Sequence, residues 1–462
     1  MNILLPIETI NRELDYKLIL GNLLAKKGVA VYIGQHDFLI NVAKHLYGGV
    51  YLGKTMFKSH FPADLTTYRF LKQKGFDMIH LDEEGAFFLG LEAEWNKTLS
   101  LRLDPNVLDS NDVICTWGNY QAAYYKSKLD SSAKDAIRII STGNPRFEVY
   151  DNNWNSIYLD EIDQIKGKYG NYILVNTNLS IANNNFGLSD IFSPRFGYNY
   201  DHSESSRLIV KRWNHTNAIL GNIVLLIHEL AASFPDMSII VRTHPSESNS
   251  FYETVFKGLE NVFVLHEGPV APWILGSEVV IHDGCTTAVE SYFANKNVIL
   301  YKSVENELYD QFVPNLVGTK CTSIEGVIKQ TQNLLFTHSK ITNERALGLL
   351  ENFNHNTSFS SLVDVITDVM QNKKHKESKH YNKSFVRFQY FISVLNLKLR
   401  SIVRVFLSEK LNTYKAHQKK FYGFNEEFVK HRLTKISKIT KNEVDVDLIN
   451  SKLIILKKSV ND

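Results

Sequence analysis

The chain has 462 residues, 44% of them hydrophobic and 12% aromatic, with a formal net charge of +3. That length allows two or three domains with sizeable cores. Three scattered cysteines, Cys115, Cys285 and Cys321, offer neither a disulfide framework nor metal-knuckle spacing. No uncharged apolar run reaches the roughly eighteen residues of a membrane span, and MNILLPIETINRELD lacks the basic start and long apolar run of a secretory signal, so the expected compartment is the cytoplasm.

The charge is uneven. From Gln371 to Asp462 there are 21 Lys/Arg against 8 Asp/Glu, leaving 31 against 41 elsewhere. An acidic body with a basic C-terminal segment predicts an anionic partner for that segment.

In chain order, Ile3–Pro6 reads as a strand and Arg12–Lys27 as a helix, with Leu14, Leu18, Leu23 and Leu24 at helical spacing and Gly28 closing it. Strand Val29–Gly34, a short helix to Tyr47, strand Gly49–Leu52, helix Pro62–Lys74 and strands Asp77–Leu81, Asp112–Trp117 and Ile137–Thr142 follow. The plan repeats with strand Tyr172–Asn176, a helix near Ser206–Phe234, strands Ser238–Arg242, Val262–Leu265 and Val279–His282, and one beginning at Asn297. Short, apolar, turn-bounded strands alternating with helices predict parallel sheets covered on both faces. The expected fold class is α/β, with two doubly wound domains facing a cleft: residues 1–160 for acceptor and catalysis, and 161–370 for a nucleotide. Residues 371–462 are expected to form a basic linker and helical extension, in which 385–407 reads as an amphipathic helix suited to an anionic membrane surface, to docking on the body or to an oligomer contact.

Polar clusters fall at the predicted strand ends, where such sheets bind ligands. The turn Asp283-Gly284-Cys285-Thr286-Thr287 precedes a helix carrying Glu290, so free N–H groups and hydroxyls could hold a phosphate while Glu290 takes ribose hydroxyls. In Arg242-Thr-His244-Pro245-Ser-Glu247, Pro245 is placed to open a helix with Arg242 and His244 as phosphate donors; a capping turn is the structural alternative. His282 is a second strand-end histidine, and Asn176 and Asn178 end another strand. Asp82, Glu83 and Glu84 form an acidic strand end that could supply a general acid or base, as could Glu8, or they are solvated turns. Arg146, after Gly143, could face an anionic sugar or belong to a hinge turn. Gly48–Thr55 matches the P-loop letter pattern, but Gly49–Leu52 is itself strand-like, against an NTPase. Asp445-Val-Asp447 spells a metal-binding DxD but lies in the basic segment, where a surface charge pair fits better. No residue set with metal spacing is present, and no cofactor is expected beyond a nucleotide-sugar co-substrate.

With LPIETINRELDYKLIL, DMIHLDEEG, STGNPRFE, ILVNTNLS, VRTHPSE and PWILGSEVVIHDGCTTAVES in order, residues 1–370 resemble bacterial surface carbohydrate biosynthesis proteins. These are similar to GT-B glycosyltransferases and, at the His-Pro pair, to transferases of Kdo and related ulosonic acids that use CMP-activated donors. The resemblance implies a GT-B-like pair of Rossmann-like domains and a metal-independent transferase of lipopolysaccharide or capsule synthesis. It places His244, Pro245, Gly284, Thr286, Thr287 and Glu290 at the nucleotide and the Asp82–Glu84 acids in catalysis. The partners implied are a nucleotide-sugar donor and a lipid-linked or polysaccharide acceptor, with no nucleic acid. A CDP-alditol phosphotransferase and a non-catalytic nucleotide-binding scaffold are the alternatives.

Overall fold

Short buried strands set the architecture of both units. The computed structural model describes residues 1–54, 62–83, 87–130, 137–194, 197–201, 203–341, 344–372 and 420–459, with Ser384, Arg387, Phe388, Phe391 and Ile392, and omits the side chains of 62–64. Glu84, Thr55 and most of 385–407 therefore lie outside the described residues. The chain divides into one unit of Met1–Ala86, Asn96–Ile157 and Leu347–Asp462, and a second of Phe87–Trp95 and Tyr158–Ala346.

In the first unit, β1 (Asn2–Ile7), β2 (Ala30–Gln35), β3 (Gly49–Gly53), β4 (Phe76–Leu81), β5 (Val113–Thr116) and β6 (Arg138–Ser141) lie in the order β2-β1-β3-β4-β5-β6, all parallel. The continuous burial of β1, β3, β4 and β5 matches a sheet covered on both faces. Helix α1 (Ile10–Lys26) follows β1 and buries Leu14, Leu18 and Leu24.

In the second unit, β7 (Tyr172–Asn176), β8 (Ser238–Arg242), β9 (Val262–Leu265), β10 (Val279–His282), β11 (Asn297–Tyr301) and β12 (Thr319–Cys321) form a parallel sheet in the order β12-β11-β10-β7-β8-β9. This is the Rossmann 3-2-1-4-5-6 order, in which the chain reverses direction across the sheet between β7 and β10. Helix α2 (Glu204–Ser233) begins at Ser203, whose hydroxyl accepts from the Ser206 N–H. Among the described residues it is the one helix long and apolar enough to cross a membrane. Here Ile219, Ile223, Leu226, Ile227 and Leu230, at helical spacing, join the core over β7, β8 and β10. Two Rossmann-like α/β units are thus present as expected.

The C-terminal region differs from the expected helical extension. Helix α4 (Glu426–Thr440), named after α3 (Thr287–Phe293) of the second unit, is followed by a hairpin of β13 (Val444–Ile449) and β14 (Leu453–Lys458). β14 pairs antiparallel with β2, extending the first sheet to eight strands. Leu453, Ile454, Ile455 and Leu456 are buried. Gly21 of α1 permits their approach, since a Cβ there would sit 2.9 Å from Leu456 Cδ1. Asn22 and Asn442 exchange side-chain bonds to each other's backbone carbonyl at 3.0 and 2.9 Å, and buried Arg432 pairs with Asp15 at 3.1 Å. Asp445 and Asp447 lie on β13 opposite Lys457 and Ile455, and Asp445 accepts from the Ser459 hydroxyl. The DxD letters thus mark a charged edge strand, a pattern that discourages further strand pairing. Residues 347–371 also return to the first unit, where Phe359, Leu362 and Ile366 are buried and the Glu148 carboxylate caps the Phe359 N–H at 2.7 Å.

Candidate functional site

The reversal of strand order between β7 and β10 leaves a crevice beyond their carboxyl ends. A cavity of about 130 Å³ lies there, within the second unit. Arg212 and His215, three residues apart on α2, line it with Asp283 after β10 and Lys302 after β11. Among the described residues no hydrogen bond or ion pair reaches the Arg212 guanidinium, and burial lowers its pKa from the ordinary arginine value. His215 stacks at 5.2 Å on Tyr309, and its pKa is depressed by burial and by the Lys302 charge. Lys302 is 5% exposed and ion-paired with Asp310. Burial and the nearby Glu247 carboxylate push Asp283 up to about 7. Its Oδ1 is buried without a hydrogen-bond donor.

The turn after β10 is more self-contained than its sequence suggests. Gly284 adopts φ +118°, and its N–H donates to His282 Nδ1 at 3.0 Å. The other ring nitrogen of His282 lies 3.4 Å from the Val317 carbonyl, and the ring is fully buried. Burial drops its pKa to about 4, so it is neutral at pH 7. His282 therefore closes the turn from inside and offers no donor to a ligand; its N–H partner, Gly284, lines the cavity together with Asp283. Cys285 is buried, with its thiol raised to about 11 by desolvation. Thr286 caps α3 through its backbone, Thr287 opens it, and Glu290 is buried within it, outside the cavity lining.

The His-Pro segment also differs from expectation. Pro245 lies in a turn, and the next helix starts at Asn249, because Glu247 folds back to accept from the His244 N–H at 3.2 Å. Glu247 is buried and also accepts from the Leu179 N–H at 2.8 Å and from the Thr177 and Tyr252 hydroxyls. It fixes the loop that carries Asn178 into the cavity wall. His244 is half-buried, and its Nδ1 accepts from the Ser246 N–H at 3.2 Å. Arg242 is held within the fold: it donates to the Glu267 and Gly268 carbonyls at 2.8 and 2.6 Å and lies over Trp273. Register aligns Asn176 with Arg242 on one side and His282 on the other, and Asn176 is buried.

In the first unit the acidic strand end is buried. Lys17, 1% exposed, pairs with Glu13 and Glu83 at 2.9 Å each and donates to the Pro6 carbonyl. Glu83 also accepts from the Tyr16 hydroxyl, and Glu13 accepts from the Glu8 and Thr9 N–H groups. Burial opposes charge on Glu13, but Lys17 and Arg12 outweigh it and hold its pKa down to about 2. Asp82 is buried with Arg102 at 3.6 Å. Arg146 turns inward to the Glu83 carbonyl at 3.4 Å instead of facing a sugar. Glu8, half-exposed, pairs with Lys54 at 2.9 Å. Gly49–Gly53 is a buried strand, not a phosphate loop.

The sequence points to the ends of β7 and β10, beside which the cavity lies, but not to Arg212, His215 and Lys302, which line it. Lys302 directly follows a strand and was legible; the two α2 residues depend on how that helix is rotated over the sheet.

No protein-family model matches the chain, and no curated relative matches it. Among solved structures, the chain is similar to UDP-GlcNAc 2-epimerase from Methanocaldococcus jannaschii, with 14% identity over 79% of this chain and 99% of that one and a TM-score of 0.48. A glycosyltransferase from Rickettsia africae gives 13% over 80% and 99%, at 0.41. The wall teichoic acid polymerase TagF gives 13% over 71% and 73%, at 0.39.

Proposed function

We propose that this protein is a glycosyltransferase that uses a nucleotide-sugar donor, with the donor phosphate held in the cavity of the second unit. The observation that carries the reading is the Arg212 guanidinium, unpaired among the described residues and set with His215 at the strand-order reversal of a Rossmann sheet. A desolvated guanidinium without a carboxylate is a ready partner for a phosphate. Fixed cationic and N–H donors at the leaving phosphate stabilise the charge that grows there as the sugar departs. The resemblance of the sequence favours a CMP-linked ulosonic acid donor, a surface-polysaccharide acceptor and a cytoplasmic location with residues 385–407 at the membrane. Of the acids assigned to proton transfer, Glu8 suits the role best, being half-exposed where Asp82 and Glu83 are buried in ion pairs. A CDP-alditol phosphotransferase is the alternative reading; of the two strand-end histidines, His244 is half-buried and His282 is fully buried.

The test is a thermal-shift and donor-hydrolysis panel of CMP-, UDP-, GDP- and dTDP-sugars. One nucleotide class is expected to raise the melting temperature, and Arg212→Ala to weaken that class roughly 10- to 100-fold, the range for a charge-assisted bond. Binding with no turnover of any donor would favour a scaffold. No binding, or full affinity in the Arg212 variant, would overturn the assignment.

A further inference from the structure

The cavity has two chemically opposite ends. Arg212 and His215 offer donors, while the wall formed after β10 and near residue 311 offers acceptors. Asp283 Oδ1 and Gln311 Oε1 are both buried without donors, and both residues line the cavity. Buried acceptors left unpaired are costly and are few in folded proteins. An ionised phosphate carries no donors, so the group at Arg212 cannot satisfy them. A divalent cation would suit the oxygens but would sit beside Arg212 and Lys302, whose charges repel it.

Resting on the phosphate reading above, we infer that Asp283 and Gln311 form a subsite for the hydroxyl groups of the donor sugar. A carboxylate accepts hydrogen bonds from two neighbouring hydroxyls, and the Gln311 side-chain amide takes another. The pKa of Asp283, near 7, leaves it able to accept through either protonation state of the carboxyl. In this arrangement Arg212 reads that the donor is anionic, and the acceptor wall reads that it carries a sugar.

The experiment compares each nucleotide with its sugar conjugate by calorimetry: CMP with CMP-N-acetylneuraminate, UDP with UDP-GlcNAc, and GDP with GDP-mannose. In the wild type at least one conjugate is expected to bind about tenfold or more tighter than its bare nucleotide, the contribution of one or two bonds to a charged group. Asp283→Ala should cut that gain to below about threefold without weakening the bare nucleotide, and Gln311→Ala should cut it partly, while Arg212→Ala weakens both members of the pair. Circular dichroism melts of each variant check the fold. If nucleotides bind but the conjugate gains nothing, or if Asp283→Ala weakens both members equally, the sugar subsite falls and the phosphate reading stands. If no member of any pair binds, both fall.

Discussion

Both sheets reverse strand order once, and the two reversals are furnished differently. At the first, between β1 and β3, Lys17 beyond the end of β1 is enclosed by Glu13 and Glu83, with Tyr16 and the Pro6 carbonyl beside it. At the second, between β7 and β10, Arg212 is unpaired and Asp283 Oδ1 has no donor among the described residues. Most of the first set of charges pairs internally, although Glu83 Oε2 has no donor among the described residues; in the second, Lys302 pairs with Asp310 while Arg212 and Asp283 Oδ1 are left over. Charged residues at a strand end therefore do not by themselves mark a binding site, and the balance left after their mutual pairing is the better guide.

The sharpest way to break this contrast is Lys17→Met. It strands two buried carboxylates together, and loss of one partner from a buried ion pair costs about 3–5 kcal/mol. The denaturant midpoint should fall accordingly; a loss below about 1 kcal/mol would mean that the cluster is not the closed unit its distances describe. Next in size is the pH dependence. Glu13 has a folded pKa of about 2, below its ordinary 4.5. It contributes stability that is complete above about pH 4.5 and is lost as pH falls toward 2. Asp283 has the opposite sign: with a folded pKa near 7 against an ordinary 3.8, its burial penalty is absent at low pH and grows as pH rises from about 4 to 7. Differences in unfolding free energy between wild type and Glu13→Gln, and between wild type and Asp283→Asn, should therefore slope in opposite directions over those two windows. Parallel slopes would erase the distinction. The smallest effect is expected from Lys54→Ala, which removes a partly exposed pair with Glu8 worth no more than about 1 kcal/mol. It should leave nucleotide affinity unchanged; loss of binding would revive the P-loop reading.

The parallel strands were legible almost residue by residue, because a strand buried on both faces appears as an uninterrupted apolar run between turns, as in Tyr172–Asn176 and Val279–His282. The site was legible only as a location. Successive residues at a strand end point to opposite faces, so the letters His282 and Asp283 do not say which is sealed and which reaches the cavity. The surroundings of Arg242 are hidden for a related reason: its carbonyl partners at Glu267 and Gly268 come from a loop more than twenty residues on. The C-terminal hairpin carried its own signal, Val444–Ile449 alternating in β13, a turn at Asn450 and Ser451 with φ +51°, then Leu453–Leu456. The surrounding excess of lysine obscures that signal.

The hairpin also sets a timetable for biosynthesis. β14 adds to β2 more than 400 positions after it in the chain, whereas every strand of the second sheet lies between residues 172 and 321. Contacts so distant along the chain are slow to form and leave an unpaired edge exposed in the interim. On the ribosome the second unit can complete its sheet while β2 still awaits its neighbour, so the nascent first unit is the half that most needs chaperone protection.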